Sequence, residues 1–172
     1  MKKIYIAILM LALAVLPVTV YHFCFATKVA FVDIPKVFNS FEMKKEMQEK
    51  YKKTELIRKG KIDTLSFNLQ VLSGRLRKDP QNKELTEEFD LRRQEFFHTK
   101  DQLEEDNAAL SSEYDKQILG QMSQYLIDYG KQHHYDFIYG TEGNGSIMFA
   151  AEEYNISDEV ITYINNKYKG LE

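Results

Sequence analysis

His133, His134 and Asp136 are the residues whose types come nearest to a metal site. Adjacent histidines cannot share one face of a helix, and no third His or Cys falls at ligand spacing, so they do not read as a metal centre. Gly140 to Ser146 carries glycines but lacks the Lys and the helix start that phosphate binding requires, so it reads as a turn. No nucleophile is set beside a base. The only cysteine, Cys24, lies in an apolar N-terminal stretch, which excludes an intrachain disulfide. Asn144-Gly-Ser and Asn155-Ile-Ser match the glycosylation pattern, which is common by chance. The expectation is a protein that is not an enzyme and uses no metal, cofactor or nucleic acid. Its chemistry would be weak contact made by charged and apolar side chains.

Those side chains are carried by a stretch from Pro35 to His133 that reads as one long helical hairpin, broken at Asp79-Pro80. On the outgoing side Ile62, Leu65, Leu69, Leu72 and Leu76 alternate at spacings of three and four, the a/d seam of a coiled coil. On the returning side Phe89, Phe96, Leu103 and Leu110 recur every seventh residue, and Tyr114, Ile118, Met122, Tyr125 and Tyr129 continue the line. No Pro interrupts either arm. At about 1.5 Å per residue each arm would reach on the order of 60 to 80 Å, too long to be buried in one compact domain. Gly60 and Gly74 each weaken the outgoing helix by roughly 1 kcal/mol relative to Ala and are candidate flex points. Asp79-Pro80-Gln81-Asn82 is the expected turn, with Asp79 capping a helix that Pro80 begins.

Charge divides the hairpin. Pro35 to Lys78 holds 12 basic and 5 acidic residues, and Asp79 to His133 holds 6 basic and 13 acidic. Two arms of opposite sign are expected to attract along their length and to disfavour parallel pairing of identical arms, although each exposed pair contributes only a few tenths of a kcal/mol.

The ends have a different character. Lys2 and Lys3, an apolar run from Ile4 to Leu16 and small residues around Cys24 and Ala26 fit a secretory signal cleaved after Ala26. The alternative is an uncleaved anchor, because Ile4 to Phe25 is nearly long enough to span a bilayer. Residues 27–34 and 135–170 then form a small β body around the hairpin of 35–134. Lys28 to Ile34 and Tyr135 to Tyr139 read as strands, Gly143-Asn144-Gly145 as a hairpin turn, and Ser146 to Ala150 as a third strand. Asp33 caps the outgoing arm and Pro35 suits its first turn, while Val37, Phe38 and Phe41 are expected to pack on the sheet. Ser157 caps a last short helix with Val160, Ile161 and Ile164 inward and Gly170 just past its end. So small a body leaves sheet edges open and is expected to associate with copies of itself.

Lys28-Val-Ala-Phe-Val-Asp-Ile-Pro-Lys-Val-Phe38, Gly143-Asn-Gly-Ser-Ile-Met-Phe-Ala150 and Ile156-Ser-Asp-Glu-Val-Ile161, with a charged helical hairpin between them, resemble the OmpH-like (Skp) periplasmic chaperones. The resemblance covers essentially Thr27 to Gly170. It implies an α+β fold, a long antiparallel coiled-coil hairpin or tentacle on a small β body, assembled as a homotrimer around a central cavity. It also implies an ATP-independent holdase for unfolded outer-membrane β-barrel proteins in the periplasm, with contact to a membrane surface as a further partner.

On that resemblance Val29, Phe31, Val32, Ile138, Ile147 and Phe149 would build the trimer body. Lys50, Lys52, Lys53, Phe67, Leu91, Phe96 and Phe97 would meet the client, the aromatic ones competing with packing inside the hairpin. One departure concerns charge: without residues 1–26 the chain keeps 21 basic and 26 acidic residues, so a generally basic chaperone surface does not transfer. Reversing the charge of Lys50, Lys52 and Lys53 is expected to lower client capture in a salt-sensitive way; binding that stays unchanged across salt would count against it. The other function considered is a membrane-anchored structural coiled coil of the envelope. An intact N-terminus recovered in membranes would favour it over a soluble chain starting near Thr27.

Overall fold

A computed structural model describes residues 27–142 and 147–171. β1 (Val29–Asp33) opens the body with Ala30 and Val32 buried and Val29 and Phe31 on the opposite face, the alternation of a strand covered on one side. Asp33 caps α1 (Ile34–Ser40), its carboxylate accepting the Lys36 amide at 2.9 Å, and Pro35 occupies the first turn as expected.

The outgoing helix is interrupted once. Phe41 adopts an extended backbone, φ -73° and ψ 126°, and α2 (Glu42–Lys78) begins only after it. The break strips the Glu42 amide and the Ser40 carbonyl of helical partners. Asn165 replaces both: its Oδ1 accepts from Glu42 N at 2.9 Å and its Nδ2 donates to Ser40 O at 3.1 Å. The Phe41 ring turns into the core, edge-on to Tyr125 at 6.2 Å and Tyr168 at 5.5 Å between centroids, so its ring partners come from helices. Asn165→Ala should therefore cost about 2 kcal/mol in urea unfolding, because two backbone groups lose their partner in a half-buried site. Asn165→Asp, which keeps the acceptor, should recover part of that loss; equal stability of Ala and wild type would show that the break needs no cap.

At the far end α2 stops at Asp79 and α3 (Lys83–Gln132) starts three residues later than the Pro80 start expected. The cap is Asn82, not Asp79. Asn82 Oδ1 accepts the Leu85 amide at 3.0 Å while its Nδ2 donates to Asp79 Oδ2 at 3.3 Å, which closes the turn on Asn82. With 37 and 50 residues, α2 and α3 are about 55 and 75 Å long. α3 ends in a Schellman turn, the Tyr135 amide donating to Gly130 O at 2.9 Å and His134 taking the left-handed position at φ 57°.

β2 (Phe137–Thr141) returns alongside β1 in parallel, with Val29 opposite Phe137 and Phe31 opposite Tyr139. Parallel neighbours need a long crossover, and the whole helical hairpin serves as that connection. Gly140 lets the chains approach: a Cβ there would lie 2.8 Å from Ile34 Cγ1. The expected third strand at Ser146–Ala150 is not formed over 147–150, and its turn at Gly143–Ser146 lies outside the described residues. The other edge of β1 is taken by residues 155–156 instead, Asn155 bridging to Phe31 and the Ile156 amide donating to Phe31 O at 3.0 Å.

The last helix, α4 (Ser157–Tyr168), buries Val160, Tyr163 and Ile164, with Ile161 half-buried. Ser157 does not cap it. Its hydroxyl accepts the Asp33 amide at 2.9 Å and donates to Asn155 Oδ1 at 2.7 Å, tying β1 to the start of α4. Gly170, at φ 69°, ends the helix in a second Schellman turn.

One core joins these pieces: Ala30 and Val32 of β1, Val37, Phe41, the root of α3 at Ile118, Met122 and Tyr129, and the inner face of α4. Beyond Ile118 the arms leave this core. Leu72 is their sole buried hydrophobic residue among those described.

Candidate functional site

The arms meet along the expected seam. Ile62, Leu65, Leu69 and Leu76 of α2 and Phe89, Phe96, Leu103 and Leu110 of α3 are half-buried, and Leu72 is buried. Below Ile62 the seam runs on through Arg58, Thr54, Tyr51 and Met47, which the apolar pattern had not revealed because two of the four are polar. Arg58 Nη1 donates to Asn107 Oδ1 across the hairpin. At that level the half-buried positions step by four twice on each arm, Thr54, Arg58, Ile62 and Thr99, Leu103, Asn107. Such a step relaxes the left-handed supercoil locally, and a polar pair in a seam fixes register at a cost in stability.

Gly60 lies inside this stretch and its carbonyl accepts from Thr64 Oγ1 at 2.8 Å. A Cβ at Gly60 or Gly74 would meet nothing within 4 Å. Ala at either position should therefore stabilise the arm by up to about 1 kcal/mol. Slower amide exchange over residues 56–78 would report it, and faster exchange would show that a glycine conformation is required there.

The sequence-based client residues do not form one stripe. Phe67, Leu91 and Phe97 are 63%, 63% and 54% exposed. Phe96 is half-buried in the seam, its ring edge-on to Phe97 at 5.3 Å. Lys50, Lys52 and Lys53 are exposed on α2, with Lys52 only 3.5 Å from Glu49 of its own helix. Leu56, Ile57 and Val71 are exposed as well and were not singled out; their signal was the seam itself, from which they fall away. The arms thus present single apolar side chains spaced along charged helices.

The body presents a denser surface. Across the parallel pair, Val29, Phe31, Phe137 and Tyr139 share the face turned from the core, and the Phe137 and Tyr139 rings stack at 6.1 Å. Beside them an apolar hollow of about 320 Å³ is lined by Phe31, Tyr139, Ile147, Ala150 and Tyr154 among others. Met148 and Phe149 stand 89% and 87% exposed. Of the six residues assigned to a trimer body, Val32 and Ile138 pack inward within the chain, Val29, Phe31 and Ile147 lie on this outer side, and Phe149 is exposed. Phe137 and Tyr139 belong with them and were missed, because strand alternation could not be phased before the register with β1 was known.

The histidines have structural places. His133 lies against Tyr129, 4.1 Å between ring centroids, and its carbonyl accepts from Lys28 Nζ at 2.8 Å. Among the described residues no cluster of His, Cys, Asp and Glu could hold a metal, and no helix is long and apolar enough to cross a membrane. Burial pushes the Tyr129 phenol up, and burial with the hydrogen bond to Glu46 does the same to Tyr168. The hydrogen bond to Asp158 raises the exposed Lys36 ammonium. These groups brace the body.

No curated protein matches the chain. A crystal structure from Caulobacter crescentus, described as a candidate outer membrane chaperone (OmpH-like), superposes with a TM-score of 0.72 at 9% identity, covering 82% of this chain and 85% of that one. The fold is therefore shared where the sequence is not. The model of the family described as "Outer membrane protein (OmpH-like)" matches residues 28–164. That span takes in β1, both arms, β2 and most of α4, and the chain belongs to the OmpH-like family.

Proposed function

We propose that the protein is an ATP-independent holdase of the periplasm that shields unfolded outer-membrane β-barrel proteins, working as a homotrimer without cofactor or catalysis. Membership of the OmpH-like family supports a chaperone role. The observation that carries the finer reading is that the core stops at the root of the hairpin while α2 and α3 run on, bearing isolated exposed apolar residues such as Ile57, Phe67, Leu91 and Phe97. A continuous apolar stripe would bind a partner helix and stay shut. Scattered side chains on a charged rod make many weak contacts that an extended client can form and release. The outer sheet face supports self-association, since an aromatic patch with a hollow beside it is what an oligomer covers.

Light scattering during dilution of an unfolded outer-membrane β-barrel protein tests the reading. Stoichiometric amounts of this protein should suppress the rise without nucleotide. Scattering identical to that of the client alone would end the holdase reading.

A further inference from the structure

Among the described residues no close ion pair joins α2 to α3, although the two helices carry opposite charge. The expected attraction within the hairpin is therefore not realised as contacts. Lys52 pairs inside α2, and Arg92, Arg93 and Lys100 pair inside α3. What remains is a rod with a basic flank, 11 basic to 5 acidic residues over Glu42–Lys78, and an acidic flank, 6 to 12 over Lys83–Gln132.

These charges are banded, and the bands sit at matching heights. With Arg58 opposite Asn107, Lys50, Lys52, Lys53, Lys59 and Lys61 of α2 lie level with Glu104, Glu105, Asp106, Glu113 and Asp115 of α3. Near the tip, Arg75, Arg77 and Lys78 lie level with Glu84, Glu87, Glu88 and Asp90. Between the bands α2 has no charged residue from Thr64 to Gly74, and there Phe67 and Val71 are exposed.

We infer that the basic flank of α2 docks against the acidic flank of α3 in a neighbouring copy, so that salt-sensitive clasps at two heights hold the arms of an assembly together on either side of the uncharged stretch of α2. The inference rests on the self-association proposed above. In a cyclic assembly each copy meets its neighbours through two different surfaces. Rotation about the axis preserves height, so a band on one copy faces the band of equal height on the next. Both pairs of bands are then opposite in sign. An arrangement that placed α2 of every copy inward would instead bring like charges together. A client fits the flanks less well as an occupant, because it has no reason to repeat their heights. The clasps reach about one Debye length, roughly 10 Å at 0.1 M salt and 3 Å at 1 M, so ionic strength sets how far the arms open.

The test uses the full chain with Cys24→Ser and a spin label on Gln81→Cys at the tip, reading distances between tips in the assembly, with native mass measured on the same sample. Tips should be close at low salt and separate by on the order of 10 Å at 1 M, where screening removes the clasp. Lys52→Glu, Lys53→Glu and Lys59→Glu together should separate them already at low salt. Adding Asp106→Lys, Ser112→Lys and Glu113→Lys, which stand at the heights of Lys59, Lys53 and Lys52, swaps both flanks there and should bring the tips back. An assembled protein whose tips ignore salt, or a double swap that fails to restore closeness, overturns the clasp and leaves the chaperone reading standing. A mass of single chains overturns the clasp together with the self-association on which it rests.

Discussion

Phe41→Ala should be the most damaging single substitution in the chain, costing about 3–5 kcal/mol and leaving the body unfolded or barely folded at 25 °C. Phe41 is fully buried at the junction of two helices, and it is the point where α1, α2, α3 and α4 converge through the Tyr125 and Tyr168 rings. Its removal takes away the transfer free energy of the ring and two edge contacts, and it opens a cavity beneath the break that Asn165 bridges. A body of this size has little stability to lose. Circular dichroism with urea should show loss of cooperativity in Phe41→Ala and a smaller cost, about 1–2 kcal/mol, in Phe41→Leu, which keeps most of the volume. If Ala cost less than about 1 kcal/mol, the arms rather than the body would carry the stability of the chain.

The second large effect concerns the outer sheet face. Phe137→Asp with Tyr139→Asp should convert the proposed assembly into single chains while leaving helix content unchanged. Both residues point away from the core, at 56% and 50% exposure, so within one chain the change is nearly free. In a covered apolar interface it deletes two aromatic anchors, each of which commonly contributes 2 kcal/mol or more, and it introduces two carboxylates without partners. Native mass should fall to that of one chain. Aggregation suppression should fall with it if the cavity between copies is what holds a client. Retention of the assembled mass would place the contact elsewhere on the body.

The sequence was most informative where periodicity is long. The seam from Ile62 to Leu76 and the heptads from Phe89 to Leu110 ran far enough for phase to be unambiguous, and the structure places those residues between the arms. The capped entry at Asp33-Pro35 and the exit at Gly170 were readable because each is a local motif.

What failed was non-local. Phe41 looked like one more residue of an apolar helix start, and nothing near it in the sequence announces that Asn165 would satisfy a break there. Ser157 had the form of a cap and was drawn into bonds with Asp33 and Asn155 instead. The segment at Ile147–Ala150 had strand-like composition, but the lane beside β1 went to residues 155–156. The outer face was half legible for the same reason: strand composition was visible, but which residues faced out depended on a pairing across more than a hundred residues of hairpin.

The central claim is that copies of this chain join through their bodies and hold an unfolded guest with the arms that project from them. Native mass spectrometry of the purified protein, alone and after dilution of an unfolded outer-membrane β-barrel protein into it, tests both halves at once. The account predicts a homotrimer that gains the mass of one client without losing a subunit. A single chain whose mass does not change when the client is added would contradict it.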